Sequence, residues 1–130
     1  MFNSQQILEK KSTLFGIVFA VIIGILSVPI IFPHIFHGNH LLHILLHVGG
    51  ISLAVFLTIL AVFAYSRLKT KRLLLTALAF GVFFMAEAIT LVDATWPLIF
   101  DIGDTSLLEL SHFFILCTLG LLAMGSFRND

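Results

Sequence analysis

Residues 41–65 read "LLHILLHVGGISLAVFLTILAVFAY", and this stretch decides the fold. It contains no Asp, Glu, Lys or Arg, and its two histidines, His43 and His47, lie near its start. A helix needs roughly 20 apolar residues to cross a bilayer. Because no water reaches the hydrocarbon core, backbone polar groups there must bond within their own segment, as they do in an α-helix. The stretch therefore predicts a membrane-spanning helix with histidines in its first half.

Three further runs have the same character, at residues 13–32, 73–92 and 106–125. The chain is 59% apolar and only 11% charged, whereas a soluble domain is about 25% charged. Short connections favour antiparallel neighbours. The sequence thus predicts an all-α integral membrane protein, an up-down-up-down four-helix bundle in one domain, 1–130. The first run follows Lys10 and Lys11 as a signal peptide would, but it is too long and has no small-x-small cleavage site, so we expect it to be retained.

The basic residues predict the orientation of the spans. All of them precede span one, lie between spans two and three, or follow span four: Lys10, Lys11, Arg67, Lys69, Lys71, Arg72 and Arg128. Lysine and arginine accumulate on the cytoplasmic side of a membrane. We therefore expect a multi-pass plasma-membrane protein with both termini cytoplasmic and the histidine-rich loop outside. Thr70 is the predicted N-cap of span three. The net charge is zero, and without a basic tract no nucleic-acid partner is expected.

Ionisable side chains inside the spans are the candidate functional residues, because burying them in a bilayer is costly. At about 1.5 Å per residue, His47, Glu87 and His112 each lie about 9–12 Å below the outer end of their helices. His43 and Glu109 lie about one turn nearer the surface. This matched depth on three helices predicts a transition-metal site in the outer leaflet, with ligands His43, His47, Glu87, Glu109 and His112.

The spacing of these residues supports metal binding. His43 and His47 are four residues apart, which lets two imidazoles hold one ion. Glu109 and His112 have the Glu-x-x-His spacing of di-metal helix bundles. Imidazoles and carboxylates suit Zn, Fe or Cu(II). A face that we expect to point into the bundle carries both histidines and continues through His40, Gly50, Ala54 and Ala61. The expected entry path from outside comprises His34, His37 and His40.

Two alternatives stay open. In the first, His47 and His112 are the axial ligands of a b-type haem, and a glutamate orients one imidazole. In the second, the chain binds no cofactor and is a non-catalytic assembly or structural subunit. Its polar layer is then a hydrogen-bond network, in which Glu87 bonds His112 and Glu109 belongs to a capping box, "SLLE".

Several segments resemble a loose class of small, uncharacterised archaeal four-helix membrane proteins. They are "HLLHILLH" (40–47), "YSRLKTKRLLLTALAF" (65–80), Glu87 and "ELSHFFIL" (109–116). The resemblance covers about two thirds of the chain and implies an archaeal plasma membrane. A small histidine-rich chain also looks like an accessory subunit of a large oxidoreductase complex, such as a terminal oxidase or archaeal copper-dependent ammonia monooxygenase. No motif here matches the functional residues of those assemblies. With no nucleotide motif and no nucleophile–base arrangement, we expect no catalytic residues in the isolated chain.

Overall fold

The structure is a computed structural model that describes residues 10–35, 38–96 and 107–128. These ranges contain four long helices and no strand. The first helix, α1, continues through a π-helical segment into a short helical turn. The bounds are α1 Lys11–Leu26, the π-helical segment Ser27–Ile31, the turn Phe32–His34, α2 Gly38–Leu68, α3 Lys71–Thr95 and α4 Leu107–Ser126.

The four predicted spans are confirmed as helices. In the described residues, each run coincides with a helical stretch that is long and apolar enough to cross a membrane: Lys11–Ile31, Leu41–Leu68, Lys71–Thr95 and Leu107–Ser126. The boundaries differ from the predicted runs by at most a few residues. With the π-helical segment counted in the first span, the largest difference is in α2, which extends three residues beyond each end of its run, from Gly38 to Leu68. The chain therefore has the length and composition of a protein with four membrane-spanning helices.

Proline explains the irregular end of α1. Pro29 has no amide hydrogen, and its ring would clash with the carbonyl of Ile25 in a regular α-helix. The chain widens at this point into the π-helical segment, which accommodates the ring without ending the helix. The Ser27 hydroxyl donates to the carbonyl oxygen of Gly24 at 2.8 Å. Pro33 is the second residue of the final turn, and proline is tolerated in the first turn of a helix.

The connection between α2 and α3 is a turn of two residues. Lys69 has a φ of 53°, the left-handed conformation that commonly ends a helix. Its amide donates to the carbonyl oxygen of Tyr65 at 2.8 Å. Thr70 is extended, and its hydroxyl accepts the amide of Leu73 at 3.4 Å, so the predicted N-cap is confirmed. The turn brings the end of α2 directly beside the start of α3.

Extensive contacts join consecutive helices in the described part of the chain: α1 to α2, α2 to α3, and α3 to α4. The apolar windows of α2 and α3 are 33% and 22% buried, against 11% for both α1 and α4. The middle helices are therefore the centre of the molecule. A cluster of large aliphatic side chains fills the contacts around α2, namely Ile30, Ile44, Val48, Ile51 and Leu91.

The contact between α3 and α4 is made by small residues. Ser111, Thr118 and Gly125 are buried and recur every seventh residue of α4. The Thr118 hydroxyl lies 3.4 Å from the carbonyl oxygen of Ala79 in α3 and 3.0 Å from that of Phe114 in its own helix. Small side chains let two backbones approach closely in a membrane. This row therefore determines which side of α4 faces α3.

Candidate functional site

The candidate site is a hydrogen-bonded pair between α2 and α3. The Nδ1 atom of His47 lies 2.8 Å from the Oε2 atom of Glu87. Both side chains are 17% exposed, so each is largely enclosed by protein. An ionised carboxylate only accepts hydrogen bonds. With Glu87 ionised, Nδ1 of His47 therefore carries the proton and donates it, and Nε2 is left for another partner unless the ring is also protonated there.

Gly50 makes room for this pair. A β-carbon built at this position would lie 2.7 Å from Oε2 of Glu87 and 2.8 Å from its Cδ atom. Real β-carbons are not found at such distances, so the carboxylate rests against bare backbone. The adjacent Gly49 has no atom within 4 Å of the same construction. Gly50 is thus a positioning residue for Glu87.

His43 lies one turn above His47 on α2. The two imidazole rings are edge to face, with 4.6 Å between their centroids and 86° between their planes. His43 itself is exposed. Farther along the expected interior face, Ala54 and Ala61 are buried, so that face turns inward below His47. His43 is therefore at the exposed edge of the site and His47 is inside it.

The other two predicted ligands do not join the pair. His112 is exposed, and its Nδ1 atom lies 2.7 Å from the carbonyl oxygen of Leu108, one turn back in α4. Glu109 is exposed in the first turn of α4. A carboxylate at this position is stabilised by the positive end of the helix dipole. The alternative that Glu87 bonds His112 needs correction, because the recorded partner of Glu87 is His47. Ser106 of the expected capping box lies outside the described residues.

The five predicted metal ligands therefore do not assemble into one cluster. Within residues 10–35, 38–96 and 107–128, no group of three or more His, Cys, Asp and Glu side chains could hold one ion. Equal depth on three helices predicts that the five side chains share one level, but depth does not specify rotation about a helix axis. The structure brings the imidazoles of His43 and His47 together, and the Glu87 carboxylate bonds His47.

The predicted entry path concerns side chains that lie outside the described set. His37 is not described at all, and His34 and His40 are described only as helical backbone. Residues 97–106, between α3 and α4, are likewise outside the described ranges. The entry path stays a prediction.

A signal for the position of α4 was present in the sequence. Ser111, Thr118 and Gly125 are small and seven residues apart, which places them on one helix face. At about 100° per residue, His112 is rotated by about 100° from Ser111 and therefore points away from that face. Recognising this row would have separated His112 from the pair on α2 and α3.

Comparison with known proteins adds no relative. No family model matches the chain, and neither a curated protein nor a solved structure does. The function is therefore argued from the geometry of this chain.

Proposed function

We propose that the chain is a small multi-pass membrane subunit with a non-catalytic assembly or structural role. The observation that carries the proposal is the 2.8 Å contact between His47 and Glu87. It joins the two central helices beside the aliphatic cluster of Ile44, Val48 and Ile51. A polar pair that satisfies itself in this way clamps two helices together without a cofactor.

A larger complex is the expected setting. The apolar windows of α1 and α4 are only 11% buried, so lipid or other membrane subunits cover most of their surfaces. Large apolar side chains are exposed along α4, among them Leu108, Phe113, Leu116 and Leu119. The exposed surfaces of α1 and α4 can therefore contact neighbouring subunits, while the contact between α2 and α3 stabilises the chain itself.

The proposed topology is up-down-up-down with both termini cytoplasmic. Two contacts support it. The rings of Phe15 and Phe56 are 5.2 Å apart, which pairs the early part of α1 with the later part of α2. A β-carbon at Gly125 would lie 3.7 Å from the carbonyl oxygen of Arg72, which pairs the end of α4 with the start of α3. A reporter protein that is active only in the cytoplasm should give a signal when it is fused to the C-terminus. A signal from a reporter that is active only outside the cell would contradict this orientation.

A double-mutant cycle tests the clamp. His47→Leu, Glu87→Leu and the double variant are unfolded reversibly in detergent micelles, and the free energies are compared. Hydrogen bonds between membrane helices average about 0.6 kcal/mol and reach about 1.7 kcal/mol. We expect a coupling free energy in that range.

The control is a second cycle with His112→Leu and Glu87→Leu. His112 bonds within α4, and effects at independent sites add. The second cycle should therefore show no coupling beyond about 0.3–0.5 kcal/mol. Zero coupling in the His47 cycle, or equal coupling in both, would refute the clamp.

A metal site is the second candidate function, and the same bond favours it. A metal-binding histidine commonly donates its other ring nitrogen to a carboxylate, which fixes the ring. Glu87 could hold Nδ1 of His47 in this manner. Nε2 of His47 and the imidazole of His43 would then supply two ligands to Zn, Fe or Cu, and the remaining ligands would come from water or another subunit. The b-haem alternative needs His112 opposite His47, and no described contact favours that arrangement.

Element analysis of tag-free protein, purified without chelator, separates these functions. The metal candidate predicts a stoichiometric transition metal that is lost in His43→Ala and His47→Ala and kept in His112→Ala. The haem candidate predicts a Soret band that disappears in His112→Ala. If wild type is colourless and metal-free and His47 and Glu87 are energetically coupled, both cofactor candidates are excluded and the structural role is supported.

A further inference from the structure

The turn between α2 and α3 has a dense positive charge. Arg67, Lys69, Lys71 and Arg72 fall within six consecutive positions, and all four are exposed. Because the turn has only two residues, these cations lie at the ends of two apolar helices at once. They are therefore held at the level where a membrane span meets the lipid headgroups.

A fifth cation comes from the other end of the chain. Gly125 of α4 packs against the main chain of Arg72, with 3.7 Å between its built β-carbon and the Arg72 oxygen. Arg128 follows three residues later and is exposed. We name the five residues the basic turn cluster: Arg67, Lys69, Lys71, Arg72 and Arg128.

No described carboxylate neutralises this cluster. No ion pair joins any of its members to an acidic side chain in the described part of the chain. Glu87 follows Arg72 by 15 residues of α3, a distance of about 22 Å along the helix. Glu109 precedes Gly125 by 16 residues of α4, about 24 Å. The described carboxylates are therefore at the opposite ends of these helices.

One member of the cluster has a fixed position. Lys69 is held in the left-handed conformation by the turn, and its Nζ atom lies 5.2 Å from the centroid of the Tyr65 ring. Such a cation over an aromatic face is attracted to it. Tyrosine itself favours the boundary between hydrocarbon and headgroups. The Lys69 ammonium therefore has a defined height beside the membrane surface.

We propose that the basic turn cluster binds the phosphate groups of anionic phospholipids in the leaflet that surrounds it. Basic clusters directly beside a membrane span attract anionic lipids, and each cation adds to the attraction. A lipid is favoured over an acidic protein segment because the cations directly flank the apolar spans Leu41–Leu68 and Lys71–Thr95. The proposal needs only that the helices lie in a membrane. It does not depend on the role of His47 and Glu87.

The test measures lipid binding by the full chain in detergent micelles. Phosphatidylglycerol or phosphatidylcholine is titrated in, and bound lipid is counted by native mass spectrometry. Wild type should bind phosphatidylglycerol more tightly than phosphatidylcholine. The variant Lys69→Gln with Arg72→Gln should bind it about 30-fold more weakly, from the contribution of each basic residue near an anionic surface and the conversion of free energy into affinity.

A charge-matched control removes two lysines elsewhere. Lys10→Gln with Lys11→Gln changes the net charge equally, and both residues are exposed at the start of α1. They are only two cations, and they directly follow an acidic residue, Glu9, in the sequence. We expect this variant to lose less than threefold in affinity for phosphatidylglycerol. Circular dichroism checks that both double variants keep the helical content of wild type. Equal losses in the two variants, or a wild type without preference for phosphatidylglycerol, would overturn the proposal. Full displacement of the lipid by millimolar inorganic phosphate would also overturn it, since the site would then be one for free phosphate.

Discussion

The two sides of α3 are packed by different chemistry. Toward α2, the interface contains large aliphatic side chains and the His47–Glu87 pair. Toward α4, it contains small residues, with the Thr118 hydroxyl 3.4 Å from the Ala79 carbonyl oxygen. The first interface therefore depends on one polar contact in a fitted recess, and the second on the close approach of two backbones.

The contrast teaches where this chain is sensitive to substitution. A partly enclosed histidine or glutamate that loses its partner stays in an apolar environment at a cost in free energy. At the small-residue contact, the Thr118 hydroxyl keeps its hydrogen bond to Phe114 within α4 when its contact with α3 is lost. Single substitutions should consequently lower the free energy of unfolding most at the α2–α3 interface and least at the α3–α4 interface.

Gly50→Ala should have the largest effect. Its methyl group would lie within 3 Å of the Glu87 carboxylate, which must then move away from His47. The carboxylate is the far end of a flexible side chain and can swing aside, so the cost is its bond to His47. We expect a loss of up to about 1.7 kcal/mol in the free energy of unfolding, the upper value for a hydrogen bond between membrane helices. Equilibrium unfolding in micelles measures it.

Gly49→Ala is the matched control for that substitution. It has open space around the new β-carbon, and alanine is a better helix former than glycine by about 0.5–1 kcal/mol. We expect unchanged or increased stability. If the two variants were equally destabilised, the loss would come from a feature that both glycine positions share, and the recess at Gly50 would have no special role.

Thr118→Val should have a smaller effect. It removes the hydroxyl near the Ala79 oxygen but keeps a side chain of similar shape, and the hydroxyl also bonds within α4. We expect a loss of about 0.6 kcal/mol, the average for a hydrogen bond between membrane helices. The same unfolding assay applies. A loss as large as that of Gly50→Ala would end the contrast between the two interfaces.

Gly125→Ala should have the smallest effect. Its new β-carbon would meet the Arg72 oxygen and the Leu75 side chain at 3.7 Å, an ordinary contact distance. The unfolding free energy should change by less than about 0.5 kcal/mol, the usual range for substitutions that disturb no special feature. A loss above 1 kcal/mol would indicate that the α3–α4 contact is closer than its geometry implies.

The helices and the depth of the polar residues could be predicted from the sequence, since both follow from counting residues along an axis. The length of the apolar runs predicted four helices, and Thr70 was recognisable as a cap. Depth also brought His47 and Glu87 to one level. Rotation about each helix axis was harder to predict, because apolar residues surround nearly the whole circumference of a membrane helix. His112 was therefore grouped with His47, although it is exposed on α4.

The recess at Gly50 could not be predicted in the same way. A glycine in an apolar helix is consistent with several roles, and only the position of Glu87 across the interface distinguishes Gly50 from Gly49. Similarly, His43 and His47 share one helix face by spacing, but the first is exposed and the second is enclosed.

The π-helical segment of α1 corrects the phase of that helix. Val18 and Ile30 are both buried, yet in an uninterrupted α-helix, at about 100° per residue, they would point about 120° apart. A π-turn takes up one additional residue, and the angle between the two side chains falls to about 20°. Both halves of α1 can then contact α2 along a single line. A chain from which Pro29 was deleted would place Val18 and Ile30 eleven residues apart, which gives the same angle of about 20° in a plain α-helix.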